Sequence, residues 1–298
     1  MRATILVVGV AVVDIVMNVD EMPSRAEKYR ANGASIVGGG CGGNAAVAIS
    51  RLGGSCHLAA RLGQDAIGEM IISGLEAEGV ICKMVRRFEN SRSSFSSIFI
   101  DKTGERQIVN YRDHDLPSEA NWLTELALVC DAVLADTRWP EGALAAMNIA
   151  RAQNIPGILD AEAPLAGTQG SLEAASHVVF SAQGLREFTG VEDLPSALKV
   201  ANQRLNNFVG VTDGPNGVWW HENEQINHQA GFSVEAIDTL GAGDVWHGAF
   251  ALALAEKMPM DRAIEFSNAA ASLKCTKSGG RDGTPSREQT DLFVRNNK

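Results

Sequence analysis

Asp238-Thr239-Leu240-Gly241-Ala242-Gly243-Asp244 runs directly into an apolar, alanine-rich stretch at 245–257. Two carboxylates bracket this short segment at the start of a predicted helix. Gly241, Ala242 and Gly243 carry nothing larger than a methyl group, so their backbone N–H groups can converge on an anion. The helix that follows adds unsatisfied amides and the positive end of its dipole. Asp244 stands beside that anion hole, where it could take a proton from an attacking hydroxyl. The pattern outlines a phosphoryl-transfer site. The same residues would also suit an ordinary helix start with Asp244 as its cap.

A second cluster, Gly38-Gly39-Gly40-Cys41-Gly42-Gly43-Asn44, leads into Ala45-Ala46-Val47-Ala48-Ile49-Ser50-Arg51-Leu52-Gly53. Here Asn44 reads as a helix cap and Gly53 as the stop. Together the two clusters resemble the signatures of the ribokinase-like sugar kinases, the phosphofructokinase-B family. The C-terminal segment is similar to that family's D-T-x-G-A-G-D without a mismatch, and the glycine run with Asn44 to its G-G-x-x-x-N element. Further likeness lies in Gly9 with Asp14, in Arg61-Leu62-Gly63 with Asp65 and Gly68, in Val211-Thr212-Asp213-Gly214 with Gly217, and in Asn268. The resemblance spans nearly the whole chain in order.

A competing motif is present. Gly38, Gly40 and Gly43 satisfy G-x-G-x-x-G with Asp65 downstream, the fingerprint of a dinucleotide-binding oxidoreductase. That fingerprint belongs at the end of the first strand of a βαβ unit. The best first strand, 5–13, ends well before it and is separated from it by a polar stretch. An NAD enzyme is therefore the distant alternative. No G-x-x-x-x-G-K-[ST] occurs, so a P-loop kinase is not supported.

The composition suits one large α/β core. The chain has 298 residues, 45% hydrophobic and 21% charged, and its net charge of −10 argues against a nucleic-acid footprint. Five cysteines without C-x-x-C spacing read as reduced core thiols in a cytoplasm. Arg2 and the apolar run after it mimic a signal peptide, but Asp14 closes the run and no small-residue cleavage site follows. No apolar stretch has transmembrane length, so no membrane partner is expected.

Periodicity predicts strands at 5–13, 55–60, 132–136, 157–161, 177–181, 208–212, 217–221 and 232–237. Helices are predicted at 44–52, 65–78, after Pro140 and at 194–205. Segments 94–100 and 107–112 alternate apolar and polar residues around Asp101-Lys102-Thr103-Gly104-Glu105, a hairpin signal. The expected fold is a doubly wound, three-layer α/β core in a single domain, 1–298. Its small β-strand lid is drawn from about 15–37, read as polar and irregular, and 88–115.

The family resemblance implies roles. Gly241, Ala242 and Gly243 would form the anion hole and Asp244 would be the base. Thr212, Gly214 and Gly217 match a nucleotide-phosphate loop, which read alone would be an ordinary strand-to-turn junction, and Asn268 matches an adenine-pocket position. Asp14, Gly39 and Asn44 match sugar-hydroxyl contacts. ATP with Mg2+ is the implied cofactor pair, a monovalent cation is left open, and a homodimer through the lid is the family's expectation. One departure concerns the metal. Family members usually carry N-x-x-E before an L-x-G turn, whereas Ser181-Ala182-Gln183-Gly184-Leu185-Arg186-Glu187-Phe188-Thr189-Gly190 lacks both residues in that register. The metal ligands are thus unassigned, with Glu187 or Asp160 as helpers through water. The loss also leaves a catalytically inactive sugar or nucleotide sensor as an alternative.

Against an acidic whole, Arg25, Lys28, Arg30, Arg92, Arg106 and Arg112 fall in or near the lid segments, and Arg138 follows a predicted core strand. Such cations permit an anionic sugar. Arg138, with Lys28 and Asn110 as companions, is the expected anion contact. Within the family the likeness is closest to the branch resembling 6-deoxy-6-sulfofructose kinase, an enzyme of sulfoquinovose breakdown acting on the sugar's 1-hydroxyl. Fructose 6-phosphate and tagatose 6-phosphate are the alternatives.

Overall fold

The computed structural model describes residues 2–125 and 127–297. Strands β1 (Thr4–Val8), β2 (Val12–Asn18) and β3 (Gly33–Gly39) lead into helix α1 (Cys41–Arg51). Then come β4 (Ser55–Ala59), β5 (Arg61–Gly63), α2 (Ala66–Ala77), β6 (Arg86–Phe88), β7 (Phe95–Ile100) and β8 (Arg106–Tyr111). The middle of the chain alternates β9 (Ala132–Asp136), α3 (Pro140–Gln153), β10 (Gly157–Ala161), α4 (Gln169–Ala174), β11 (His177–Ser181), α5 (Ala182–Thr189), α6 (Leu194–Leu205) and β12 (Phe208–Thr212). A hairpin of β13 (Val218–Glu222) and β14 (Gln225–Gln229) precedes α7 (Ala242–Ala255), α8 (Met260–Cys275) and α9 (Arg287–Asn296).

The large sheet has the order β14-β13-β12-β11-β10-β9-β1-β4. From β12 to β4 every pairing is parallel, and β13 and β14 close one edge antiparallel. Parallel strands need a crossover and are covered on both faces, so they read as continuous apolar runs. In β1, Ile5 and Val7 pack toward α1, α7 and α8, while Leu6 and Val8 pack toward α3, α5 and α6. Each such buried side chain contributes about 1.5–3 kcal/mol. Among the described residues no helix is long and apolar enough to cross a membrane.

A second sheet, order β3-β2-β7-β8, pairs β2 with β7 in parallel and its other neighbours antiparallel. Three sequence expectations are corrected here. The single strand at 5–13 is broken at Gly9: β1 stays in the large sheet and β2 leaves for the small one. The break has a physical cause, because Asp136 at the end of β9 accepts the N–H groups of Val10 and Gly42 at 2.8 and 3.0 Å. Gly9 lies so close that a Cβ there would sit 2.1 Å from the same carboxylate. Segment 15–37 is correspondingly not all irregular, since it holds most of β2 and of β3. The strand expected at 232–237 is absent, and the polar β14 pairs with β13 in its place.

Candidate active site

Gly241 adopts φ 77°, a left-handed conformation that suits glycine, and caps α7. Ala242, Gly243 and Asp244 form the first turn of that helix. Asp244 is therefore a first-turn residue and not the cap. Its Oδ2 accepts a 2.7 Å hydrogen bond from Nδ2 of Asn44. Asn44 is not a cap either: α1 begins at Cys41 behind Gly40, and the buried Asn44 lies inside its first turn. The two signature helices thus meet through one amide–carboxylate bond. Burial pushes the Asp244 carboxyl above its ordinary range, the Asn44 bond pulls against it, and the charges of Glu162 and Asp136 add to the rise.

Two cavities share the mouth of α7. One, of about 640 Å³, lies between the C-terminal ends of the parallel strands and the small sheet, and is lined by Asp14, Asn44, Ser96, Asn110, Arg112, Arg138, Asp160, Glu162 and the whole run from Gly241 to Asp244. The other, of about 560 Å³, is lined by Thr212, Gly214, Gly217, Phe232, Trp246 and Asn268. Thr212, Thr239, Ala242 and Gly243 face both. Ligands of open α/β sheets bind at the carboxyl ends of the strands, which is where both cavities open.

The sequence-derived residues divide into three groups. Asp14, Asn44, Asn110, Arg138 and Asp244 reach the first cavity. Thr212, Gly214, Gly217 and Asn268 reach the second, although the Asn268 side chain is already engaged, accepting from Trp246 Nε1 at 2.8 Å and donating to the Ala230 carbonyl at 3.3 Å. Gly39 lies behind Asp14, with room for no Cβ, since one would come within 2.4 Å of the Asp14 carboxylate. Lys28 is exposed and does not line the cavity, so its pairing with an anionic sugar is not supported. Arg138 lines the cavity, but its guanidinium donates to the Glu162 carboxylate and, at 2.9 Å, to the Ala163 carbonyl. Asn110 donates to Ser96 Oγ at 2.9 Å.

No motif marks Glu162, and the sequence marks Asp160 only as a helper to the metal. The available signal is position: both acids come at or just after the end of the buried strand β10. Asp160 is 7% exposed, and His247 Nε2 lies 3.5 Å from its carboxylate. Burial and the charges of Asp244, Glu162 and Asp136 push its carboxyl well up. Oxygens of Asp160 and Asp244 and the Cys41 sulfur lie within 4.8 Å of one another. Two thiols expected in the core are elsewhere: Cys41 faces the first cavity and Cys275 the second.

A profile of the pfkB family carbohydrate kinases matches residues 2–287. The chain belongs to that family. This pfkB kinase is 30% identical to the ribokinase of Haemophilus influenzae over 310 aligned positions, covering 99% of each chain. A solved structure from Agrobacterium tumefaciens is 39% identical, with TM-score 0.93 over 99% of this chain and 98% of that one. The ribokinase of Arabidopsis thaliana, solved with ribose and ATP, shares the fold at 23% identity, with TM-score 0.88 over 99% of each chain. The chain is accordingly an ATP-dependent sugar kinase.

In this pfkB kinase the segment lacking N-x-x-E has a structural reason for lacking its acid. Ser181 caps α5 by accepting the Gly184 N–H at 3.0 Å, and a Cβ on Gly184 would lie 2.3 Å from the Ala161 carbonyl oxygen. No longer side chain fits at 184 without moving β10. Glu187 is exposed and accepts from the Leu165 N–H, away from both cavities.

Proposed function

We propose that Asp244 is the base that accepts the proton of a sugar hydroxyl as its oxygen attacks the γ-phosphorus of ATP and ADP leaves. The observation that carries this reading is the meeting of the two cavities at Ala242 and Gly243, with Asp244 on the sugar side. The Gly241 and Gly243 amides would receive the charge of the transferring phosphoryl group, joined by that of Ala242 once it turns from the Thr239 carbonyl, to which it donates at 3.2 Å. The raised carboxyl of Asp244 brings its basicity nearer to neutral pH, where a general base works best. ATP would lie along Thr212, Gly214 and Gly217, with its base toward Trp246 and Asn268. The small sheet would serve as the lid that excludes water and prevents hydrolysis.

Mg2+, when bound with ATP, would neutralise phosphate charge and shape the nucleotide. Asp160 and Glu162 suit it, being hard oxygen donors that face the cavity, and magnesium commonly keeps several waters between itself and such carboxylates. The Cys41 thiol is a poor donor for it.

For the sugar, the favoured substrate is a neutral polyol such as the ribose of the ribokinase relatives. Asp14, Asn44, Ser96, Asn110 and Glu162 supply hydroxyl partners, and the Arg138 charge is offset by Glu162. A second reading, an anionic ketohexose such as 6-deoxy-6-sulfofructose, is favoured by Arg112, an exposed cavity-lining cation. A homodimer through the small sheet is supported by the exposed Ile36 on β3 and Val109 on β8, which share the face turned away from the cavity.

The test is an ADP-release screen over ribose, fructose, sulfofructose, fructose 6-phosphate, tagatose 6-phosphate and a nucleoside, run with wild type and Asp244→Asn. Turnover of the variant is expected to fall about 10³-fold with sugar binding retained. Near-normal turnover would remove the base assigned here. A preference for sulfofructose over ribose would select the second reading.

A further inference from the structure

Lysine is almost never fully buried, because an ammonium taken from water must find oxygen partners. Lys274, in the last turn of α8, is 0% exposed. Its Nζ donates to the Asp238 main-chain carbonyl at 2.7 Å and lies 3.6 Å from Asp238 Oδ2. Asp238 is the first residue of the segment that ends in Asp244. Its carboxylate is fully used: Oδ1 accepts the Leu240 N–H at 2.9 Å and Arg106 Nη2 at 3.2 Å, and Oδ2 accepts the Gly279 and Gly280 N–H groups at 3.2 and 3.0 Å. The N–H groups of Ile237 and Asp238 both donate to the Cys275 carbonyl at the end of α8.

Two features follow. The residue before Gly241, Leu240, is held by a carboxylate that is itself held by Lys274. Two cations, Lys274 and Arg106, also face one anion, which leaves net positive charge beneath a loop where phosphoryl charge would develop. Burial pushes Asp238 up, but the Gly280 and Leu240 hydrogen bonds and the charges of Lys274 and Arg106 outweigh it and hold the carboxyl below its ordinary range.

Resting on the anion-hole reading above, we infer that Lys274 is a positioning residue for that hole and is the chain's own substitute for a monovalent cation, so that turnover needs no added potassium. An external cation at this place would have to take the Asp238 carbonyl and carboxylate oxygens, and the ammonium already has both. Lys274 is fully buried and covalently part of α8, so its charge cannot leave with a change of salt.

The first measurement uses the unaltered enzyme: turnover with saturating ATP, Mg2+ and the best sugar from the screen, in tetramethylammonium buffer with potassium added stepwise. A flat response is expected, and several-fold activation by potassium would overturn the inference. The second uses Lys274→Met. Its kcat is expected to fall about 10²-fold, the scale of a misplaced catalytic geometry, with sugar KM little changed and with partial recovery in potassium or methylammonium. Unchanged kcat, or a folded variant that neither cation restores, would overturn it. If Lys274→Met does not fold, Lys274→Arg replaces it, and added cations should then give no gain. Asp244→Asn under the same salts separates the two ideas. Its activity is expected to stay low at every cation concentration, and a normal rate there would refute the base without bearing on Lys274.

Discussion

Strand β9 buries all five of its residues, whereas all six residues of β8 are exposed. The first belongs to the sheet that carries Asp136, and the second to the sheet that covers the cavity lined by Asp14 and Asp244. The large sheet is locked by side chains on both faces, and its strand ends are therefore fixed points from which carboxylates can project. The small sheet has one face, with Ile108, toward the cavity and leaves Ile36 and Val109 on the other in solvent. Its stability rests on backbone pairing and on a few anchors such as Ile98. Such low-density elements are the ones that open and close.

This contrast can be broken by experiment. Leu134→Ala in β9, 2% exposed, should cost about 2–5 kcal/mol in denaturant unfolding, the range for a cavity in a close-packed core. A loss as small as that of a lid variant would refute the division. The acid limb of stability should also belong to the large sheet. His177, at the start of β11, is pushed down to about 4 by burial. Its unfolded value is higher, so its contribution is complete above about pH 6.5 and is lost as pH falls toward the folded value, by up to roughly 3 kcal/mol. His177→Phe, which keeps a ring beside Phe208 and Phe250, should flatten that limb in melts between pH 4 and 7; an unchanged slope would clear His177.

Between the two regions stands Asn44. Its bond opposes the rise of the Asp244 carboxyl, so Asn44→Ala should raise that pKa and move the acid limb of kcat upward by roughly one pH unit. A pH profile that does not move would disconnect α1 from the base. Smallest of all, Val109→Ser on β8 should change stability by no more than about 0.5 kcal/mol. Its effect should appear in sedimentation as weakened self-association, and an unaltered association state would remove this face from the dimer.

The strands at 132–136, 157–161, 177–181 and 208–212 were legible because a parallel, doubly covered strand has only one composition that works. β2 and β3 were not, since Asp14, Asn18 and the glycines of 33–39 carry no core signal and find their places only against β7. β14, Gln225–Gln229, is polar on an edge where pairing with β13 decides its conformation. Helix α8 starts behind Pro259 with no side-chain cap, whereas α9 carries a legible start signal in the capping box of Ser286 and Gln289. At the candidate site the glycine motifs pointed to the two helix starts. They could not show that Asn44 reaches Asp244, that Glu162 takes up the Arg138 charge, or that Lys274 lies under Asp238. Those relations join residues far apart in the chain, and each depends on a distance that only the assembled sheet fixes.

The parallel pairing of β2 with β7 has a consequence for assembly. Residues 13–18 are hydrogen-bonded to 95–100, so everything from β3 through β6, including α1 and α2, is enclosed in the loop that this pairing closes. Loop closure of that length is unfavourable until the enclosed segment has compacted. The cover of the first cavity is therefore expected to form late in folding, on a scaffold that already holds the glycine-rich start of α1 in place, and pulsed hydrogen exchange during refolding should find the amides of β7 protected after those of α1.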